Sequence, residues 1–266
     1  MKICDQSKYL GDELKSGISD SIVATITKRK GNVMAAINGI VSLVNDPRAN
    51  AIGGISLGID VWEMAILPFL LNSADTWAGI DKKAMKMLDH IHKVFLQRLL
   101  QVKTAPIPLM YWDTGQLLMV NRIIKKKLLL IKHIASLNNN SLAKSVYMQQ
   151  KNNKNLPGLV DDVREILIEC DLSLDMMETF SRREWKDFVK DFIVSKNKEE
   201  LLTLMKPYKK INIDELKNED FELKTYMKSF PVKQALVKFR LRGRVLHTIK
   251  TLSGVESSQA NTILFC

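Results

Sequence analysis

The chain has 266 residues, a mass of 30.3 kDa, 46% hydrophobic residues and a net charge of +11. That apolar content excludes wholesale disorder, and the length suits one large domain or two smaller ones. Cys4, Cys170 and Cys266 are far apart, odd in number and without CxxC or Cys/His spacing. They argue against a disulfide framework or a zinc site, and for reduced thiols in an intracellular protein, nucleus or cytoplasm left open.

The N-terminal stretch MKICDQSKYLGDEL has no apolar run of signal-peptide length, and Lys2 to Leu10 is the only edge-like strand candidate. Next comes a helical stripe, Ile18, Ile22, Val23, Ile26, Val33, Ile37, Ile40, Val41 and Val44, which should stop before Asn45-Asp46-Pro47. Lys28-Arg29-Lys30 sits on its polar side. Gly53 to Gly58 is glycine-rich but lacks the lysine of a phosphate-binding loop and reads as a turn. Ala51 to Ala74 is the most apolar region, yet Asp60, Glu63 and Pro68 break it, so it reads as a buried helix rather than a membrane span. Met85, Leu88, Ile91, Val94, Phe95 and Leu99 mark a further helix that ends before Pro106 and Pro108.

Leu109 to Leu137 is the most informative stretch. An aromatic pair and the turn Asp113-Thr114-Gly115 lead into a helix carrying Lys125, Lys126 and Lys127. Lys151 to Asn155 is the best linker. Pro157-Gly158 opens a helix, Ser181 and Glu184 have capping-box spacing, and Asn197 with Glu200 repeats that pattern before Leu201 to Met205. Val237 to Ile249 fits a strand or an interrupted helix. The class is mainly α: a helical bundle followed by further helices, with little or no sheet. Three regions are expected, 1–105, 106–155 and 156–266.

Charge falls in blocks. Residues 1–113 carry a net of +2, 114–160 of +8, 161–222 of −6 and 223–266 of +7. Two basic blocks flanking an acidic one mark either a boundary or internal complementarity. A field this concentrated favours a polyanion, since each phosphate contacted releases counterions. The candidate contacts are Lys28, Arg29, Lys30, Arg122, Lys125, Lys126, Lys127, Lys132, Lys238, Arg240, Arg242 and Arg244. Arginine grips phosphate in bidentate fashion, which favours the last set over the lysines. Trp62, Trp77, Trp112 and Trp185 could stack on bases, but aliphatic neighbours make core packing the better reading. Catalysis finds little support. His90, His92, His133 and His247 form no HExxH pair, and Asp161-Asp162 reads as solvated acids rather than a metal-holding carboxylate set.

Several segments, in order, resemble the reverse-transcriptase protein of non-long-terminal-repeat (LINE-type) retrotransposons just after its catalytic palm. They are Lys8-Tyr9-Leu10-Gly11, Ile66 to Trp77, Leu96-Gln97-Arg98-Leu99-Leu100, Pro106 to Leu128, Leu156 to Val160, Phe221-Glu222-Leu223-Lys224 and Val237 to Arg242. The likeness spans roughly residues 8 to 245 and rests on packing signatures, with Asn72, Asp75 and Asp113 departing from the family pattern.

The resemblance implies that the helical bundle is thumb-like, in a thumb and post-palm fragment that contacts RNA template and RNA–DNA duplex, with Tyr9, Leu10 and Gly11 near the primer grip. It implies no catalytic residues or cofactor in this chain. The palm that would hold magnesium in the parent polymerase lies upstream of Lys8, and Cys266 resembles the first ligand of a cut-off zinc knuckle. The rival readings are a helical protein-interaction module without a nucleic-acid role, and a retrotransposon remnant without function.

Overall fold

A computed structural model describes residues 6–9, 12–15, 18–46, 53–77, 79, 82–153, 158–209 and 211–243. Strands β1 (Gln6–Tyr9) and β2 (Asp12–Lys15) pair antiparallel, with Tyr9 opposite Asp12, and β2 packs against the first helix. All other named elements are helical, as the sequence leads one to expect.

Helix α1 (Ile18–Asn45) ends where the apolar stripe ends. Gly53, at φ 85°, is the N-cap of α2 (Gly54–Val61), so the glycine-rich segment opens a helix instead of forming a free turn. A π-helical turn (Trp62–Ile66) and the short α3 (Leu67–Leu70) continue it, and Pro68, which has no N–H to give to this run, follows directly on the turn where the ladder is already shifted, with Leu67 N–H reaching Trp62 O. Helix α4 (Lys82–Leu99) packs along α1. Arg98 donates to Asn38 Oδ1, and Gln101, just past the end of α4, donates to Asn45 Oδ1 at 2.6 Å. Both sequence numbers increase together along this seam, so α1 and α4 run in the same direction.

Helices α5 (Ile107–Asp113), α6 (Met119–Ala135), α7 (Leu142–Asn152), α8 (Leu159–Ile168) and α9 (Leu174–Thr179) follow. The long α10 (Arg182–Met205) starts at a true capping box. Ser181 N–H donates to Glu184 Oε2 at 2.8 Å, while Glu184 N–H donates to Ser181 Oγ at 3.2 Å. Asn197 does not start a second helix. It is buried in the middle of α10, where its Oδ1 accepts Leu118 N–H at 2.8 Å and Asn121 Nδ2 at 3.1 Å, tying α6 to α10. Helices α11 (Ile213–Lys217), α12 (Thr225–Ser229) and α13 (Val232–Arg242) complete the described chain. The alternating Lys238 to Arg242 segment is therefore helical, not a strand.

Two hydrophobic cores result. The larger joins α1 to the start of α6 with residues 201–239, and includes Trp62, Phe95, Trp112 and Phe239. The smaller lies among α6 to α10 around Tyr147, Val163, Trp185 and Ile193. These cores divide the chain differently from the three regions read from sequence, because the C-terminal helices return to the N-terminal core. Trp62, Trp112 and Trp185 are fully buried and Trp77 nearly so, as core residues. Trp185 Nε1 donates to Leu128 O at 2.9 Å.

Candidate nucleic-acid interface

Gly115 sets the first piece of geometry. Its φ of 64° turns the chain out of α5, and a Cβ there would sit 2.6 Å from Leu223 N. Only glycine fits such an approach without strain. The turn brings Asp113 and Thr114 against the later segment: Lys224 N–H donates to Asp113 O at 3.0 Å, and Thr114 bridges Leu223. Tyr226 Oη donates to the buried Asp113 Oδ2 at 2.8 Å. Arg242 Nε lies 3.0 Å from Asp113 Oδ1, close enough for ionic attraction but not aligned as a hydrogen bond, and its Nη2 bonds Glu219. Lys224 also pairs with Glu219 at 2.9 Å and lies over the Trp112 ring. Arg242 is thus committed inside the protein, and Glu219 is held below the usual carboxylate range by the Arg242 and Lys224 contacts despite its partial burial.

The other expected contacts divide in two. Arg29 is buried, not on the polar side of α1, and its Nη1 donates to Leu70 O at 3.2 Å and Asn72 O at 2.9 Å. Arg122 forks onto Glu63 at 2.9 and 2.6 Å and also reaches Gln116 at 2.8 Å. Lys127 pairs with Asp162, which also accepts Gly79 N–H, so Asp162 is no solvated acid. Asp161 pairs with Arg164. Lys132 donates to Met177 O at 2.9 Å and Glu178 O at 3.0 Å, capping carbonyls at the end of α9. Arg240 donates to Gln101 O at 3.1 Å. These cations hold elements together, and the pairs Lys127–Asp162, Lys151–Glu178 and Arg242–Glu219 join the basic blocks to the acidic one.

Lys28 and Lys30 are exposed on α1. Lys125 and Lys126 are half-buried on α6 and hold no ion pair among the described residues. Burial pushes the Lys125 ammonium down, and the charges of Arg122, Lys186 and Lys190 push the same way against Glu63. Lys125 therefore stands in a positive setting shared by α6 and α10, with Lys186 and Lys190 not foreseen from sequence. Lys238 is exposed and lies 5.3 Å from the centroids of the Tyr226 and Phe230 rings. Tyr9 is described only as the end of β1, while Leu10, Gly11 and Arg244 lie outside the described residues.

One histidine that the sequence marks only by its lack of an HExxH partner proves to be fully buried. His92 stacks on Trp62 at 5.2 Å and meets the edge of Tyr111 at 4.7 Å. Burial, and then the charge of Arg122, hold its imidazole well below the usual range, with Gln116 opposing only weakly. No other sequence signal marks it, because the pattern of a single histidine on an apolar face is that of a core residue. Among the described residues no group of three His, Cys, Asp or Glu side chains is placed to hold a metal ion, and no helix is long and apolar enough to cross a membrane. No family model, curated protein or solved structure matches the chain.

Proposed function

We propose that this chain is the thumb and post-palm part of a LINE-type reverse transcriptase, a non-catalytic helical module that holds RNA template and RNA–DNA duplex through phosphate contacts. One observation carries the reading. Three of the segments behind the resemblance, Tyr111 to Asp113, Phe221 to Lys224 and Val237 to Arg242, are far apart in sequence but meet in one joint. Within it Trp112 meets Phe221 edge-on at 5.7 Å, and Asp113 lies beside Arg242. Shared packing signatures that converge in space support a common scaffold more strongly than the same strings scattered over a surface.

On that scaffold the exposed Lys28, Lys30 and Lys238 and the half-buried Lys125 and Lys126 supply sequence-independent contacts to a phosphate backbone. The magnesium chemistry of the parent polymerase belongs to its palm. Fluorescence anisotropy with an RNA–DNA hybrid duplex tests the reading: affinity falls roughly 40-fold between 50 and 200 mM salt for every three lysine–phosphate contacts. Absence of binding at 50 mM, or binding indifferent to salt, ends the nucleic-acid reading. Metal-dependent primer extension by the purified chain ends the non-catalytic one.

A second reading has its own observation. Leu57, Met64 and Phe69 are 46%, 74% and 45% exposed along α2, the π-helical turn and α3, an outer apolar face suited to a protein partner. Light scattering separates the two, since a protein-interaction module that self-associates through this face becomes monomeric on Met64→Lys and Phe69→Lys substitution while any nucleic-acid affinity is unaffected.

A further inference from the structure

Helices α1 and α4 border an open, shallow cleft of about 550 Å³ lined by Lys30 from α1 and Lys82, Lys83, Lys86, Met87 and His90 from α4. We infer that this cleft is a binding site for a run of phosphate groups, in which Lys30, Lys82, Lys83 and Lys86 contact successive phosphates and His90 adds a further polar contact. The inference deepens the nucleic-acid reading by naming a site for it, and rests on that reading only for the polymer; capture of phosphates stands without it.

Lysines and arginines that converge in the interior or at the joints between helices do so on carboxylates or carbonyls: Lys127 on Asp162, Arg122 on Glu63, Lys151 on Glu178, Lys132 on two backbone oxygens. In the α1–α4 cleft four lysines converge, and among the described residues no carboxylate lines the wall. The nearest acid in sequence on α4, Asp89, is not on that wall, and its charge acts on the buried Tyr111. Lys30, Lys82, Lys83, Lys86 and His90 are all exposed, so their heads are available to a ligand. Like charges gathered without a counter-charge repel each other, and a polyanion is the ligand that relieves the repulsion while releasing its own counterions.

Spacing points to several phosphates rather than one. Lys82, Lys86 and His90 follow at i, i+4 and i+8 and stand along one side of α4, about 12 Å from end to end at 1.5 Å per residue. That row matches three or four phosphates of a duplex strand at about 3.4 Å axial spacing. Lys30 closes the site from the parallel helix, and Met87, half-buried, forms the apolar floor on which lysine stems can lie. None of the lysines from α4 belongs to a basic cluster in the sequence that stands out by charge, which is why the site emerges only when α1 is laid beside α4.

The test uses the full chain, a labelled RNA–DNA hybrid duplex and inorganic tripolyphosphate. Its variants are Lys82→Gln/Lys83→Gln/Lys86→Gln in the cleft and Lys206→Gln/Lys209→Gln/Lys233→Gln elsewhere, each checked for native circular dichroism. The expected result is that the cleft variant loses about tenfold or more in affinity for both probes and flattens the salt slope by about 2 to 3, while the equally neutralised control changes by less than about threefold. Equal weakening by both variants overturns the site, because net charge alone then explains binding. Duplex binding that survives in the cleft variant also overturns it and leaves the nucleic-acid reading intact. Tripolyphosphate binding lost only in the cleft variant, without any duplex binding, upholds the site for free polyphosphate and removes the polymer.

Discussion

Tyr226 donates its hydroxyl to Asp113 Oδ2 at 2.8 Å, a bond between residues 113 positions apart that fastens α12 to the end of α5. Burial, reinforced by the neighbouring Asp113 carboxylate, raises the Tyr226 phenol well above its ordinary range, so it remains a donor at any physiological pH. The bond closes the larger core: α12 and α13 come back over α2, and Gly53 N–H reaches Phe230 O at 3.4 Å on the same side. Residues on both sides of the acidic block thereby belong to one folding unit.

Asp113 should leave a signature in stability against pH. Burial pushes its carboxyl up to about 6 from 3.8, against the pull of Arg242, the Tyr226 bond and Lys224. The folded chain then binds more protons at this site than the unfolded chain between about pH 4 and 6, so its contribution to stability falls as pH rises through that window. Asp113→Asn keeps an acceptor for Tyr226 but cannot ionise. Urea unfolding at pH 4, 5, 6 and 7 should show the variant gaining on the parent by up to about 3 kcal/mol across the window. A difference that stays flat with pH contradicts the raised carboxyl.

His92 works in the opposite direction. Its imidazole is held well below 6.5, so the unfolded chain binds a proton there before the folded one does. Stability is lost as pH falls below about 6.5, where unfolding lets the ring charge. Replacing it with phenylalanine keeps an aromatic ring against Trp62 and removes the titration. The acid-unfolding midpoint, followed by tryptophan fluorescence, should move to lower pH in His92→Phe; an unchanged midpoint would show that His92 does not govern acid sensitivity.

Local patterns in the sequence gave the helix limits well, and tertiary partners were what they could not give. The end of α1 at Asn45 and the capping box at Ser181 depend on neighbours a few residues away, so both are legible. Asn197 with Glu200 has the same local spacing, but a bond from Leu118 N–H, 79 positions away, makes it a mid-helix tie. The lysines of α6 show the same limit for function. Lys126 and Lys127 differ by one residue, about 100° around the helix, and only the second meets Asp162. The cleft lysines of α4 carried no sequence signal because Lys30 reaches them from 52 positions upstream.

The glycines offer a sharper contrast. At Gly115 a methyl group would meet Leu223 N at 2.6 Å and Glu222 C at 2.7 Å, and φ is already 64°. Gly115→Ala should cost roughly 2 kcal/mol or more, from left-handed strain together with the displaced backbone. At Gly31 and Gly39, within α1, an added Cβ meets nothing within 4 Å. Alanine at either should stabilise by about 0.5–1 kcal/mol. Thermal unfolding of the three single variants decides it, and a Gly115→Ala protein as stable as the parent would contradict the close approach of the 222–223 backbone.

The division of basic residues into structural and outward-facing sets is the part of this scheme most open to a direct test. Arg122 and Lys127 each hold a carboxylate at a joint, with side chains 10% and 6% exposed. Removing either cation strands Glu63 or Asp162 next to a partly dry interface, which costs about 2–3 kcal/mol where the acid keeps some contact with water. Arg122→Met and Lys127→Met should therefore lower the urea midpoint clearly and, assayed well below their melting temperature, leave the salt slope of duplex binding unchanged. Lys125→Gln/Lys126→Gln should do the reverse. Losing Lys125 relieves repulsion from Lys186 and Lys190, so stability holds or rises slightly, while the salt slope falls by about 1 for each phosphate contact removed. The two readouts move independently only if the cations do separate jobs. A stability loss and a slope loss that track each other across all four positions would mean that every lysine acts through the fold, and that none of them touches the ligand.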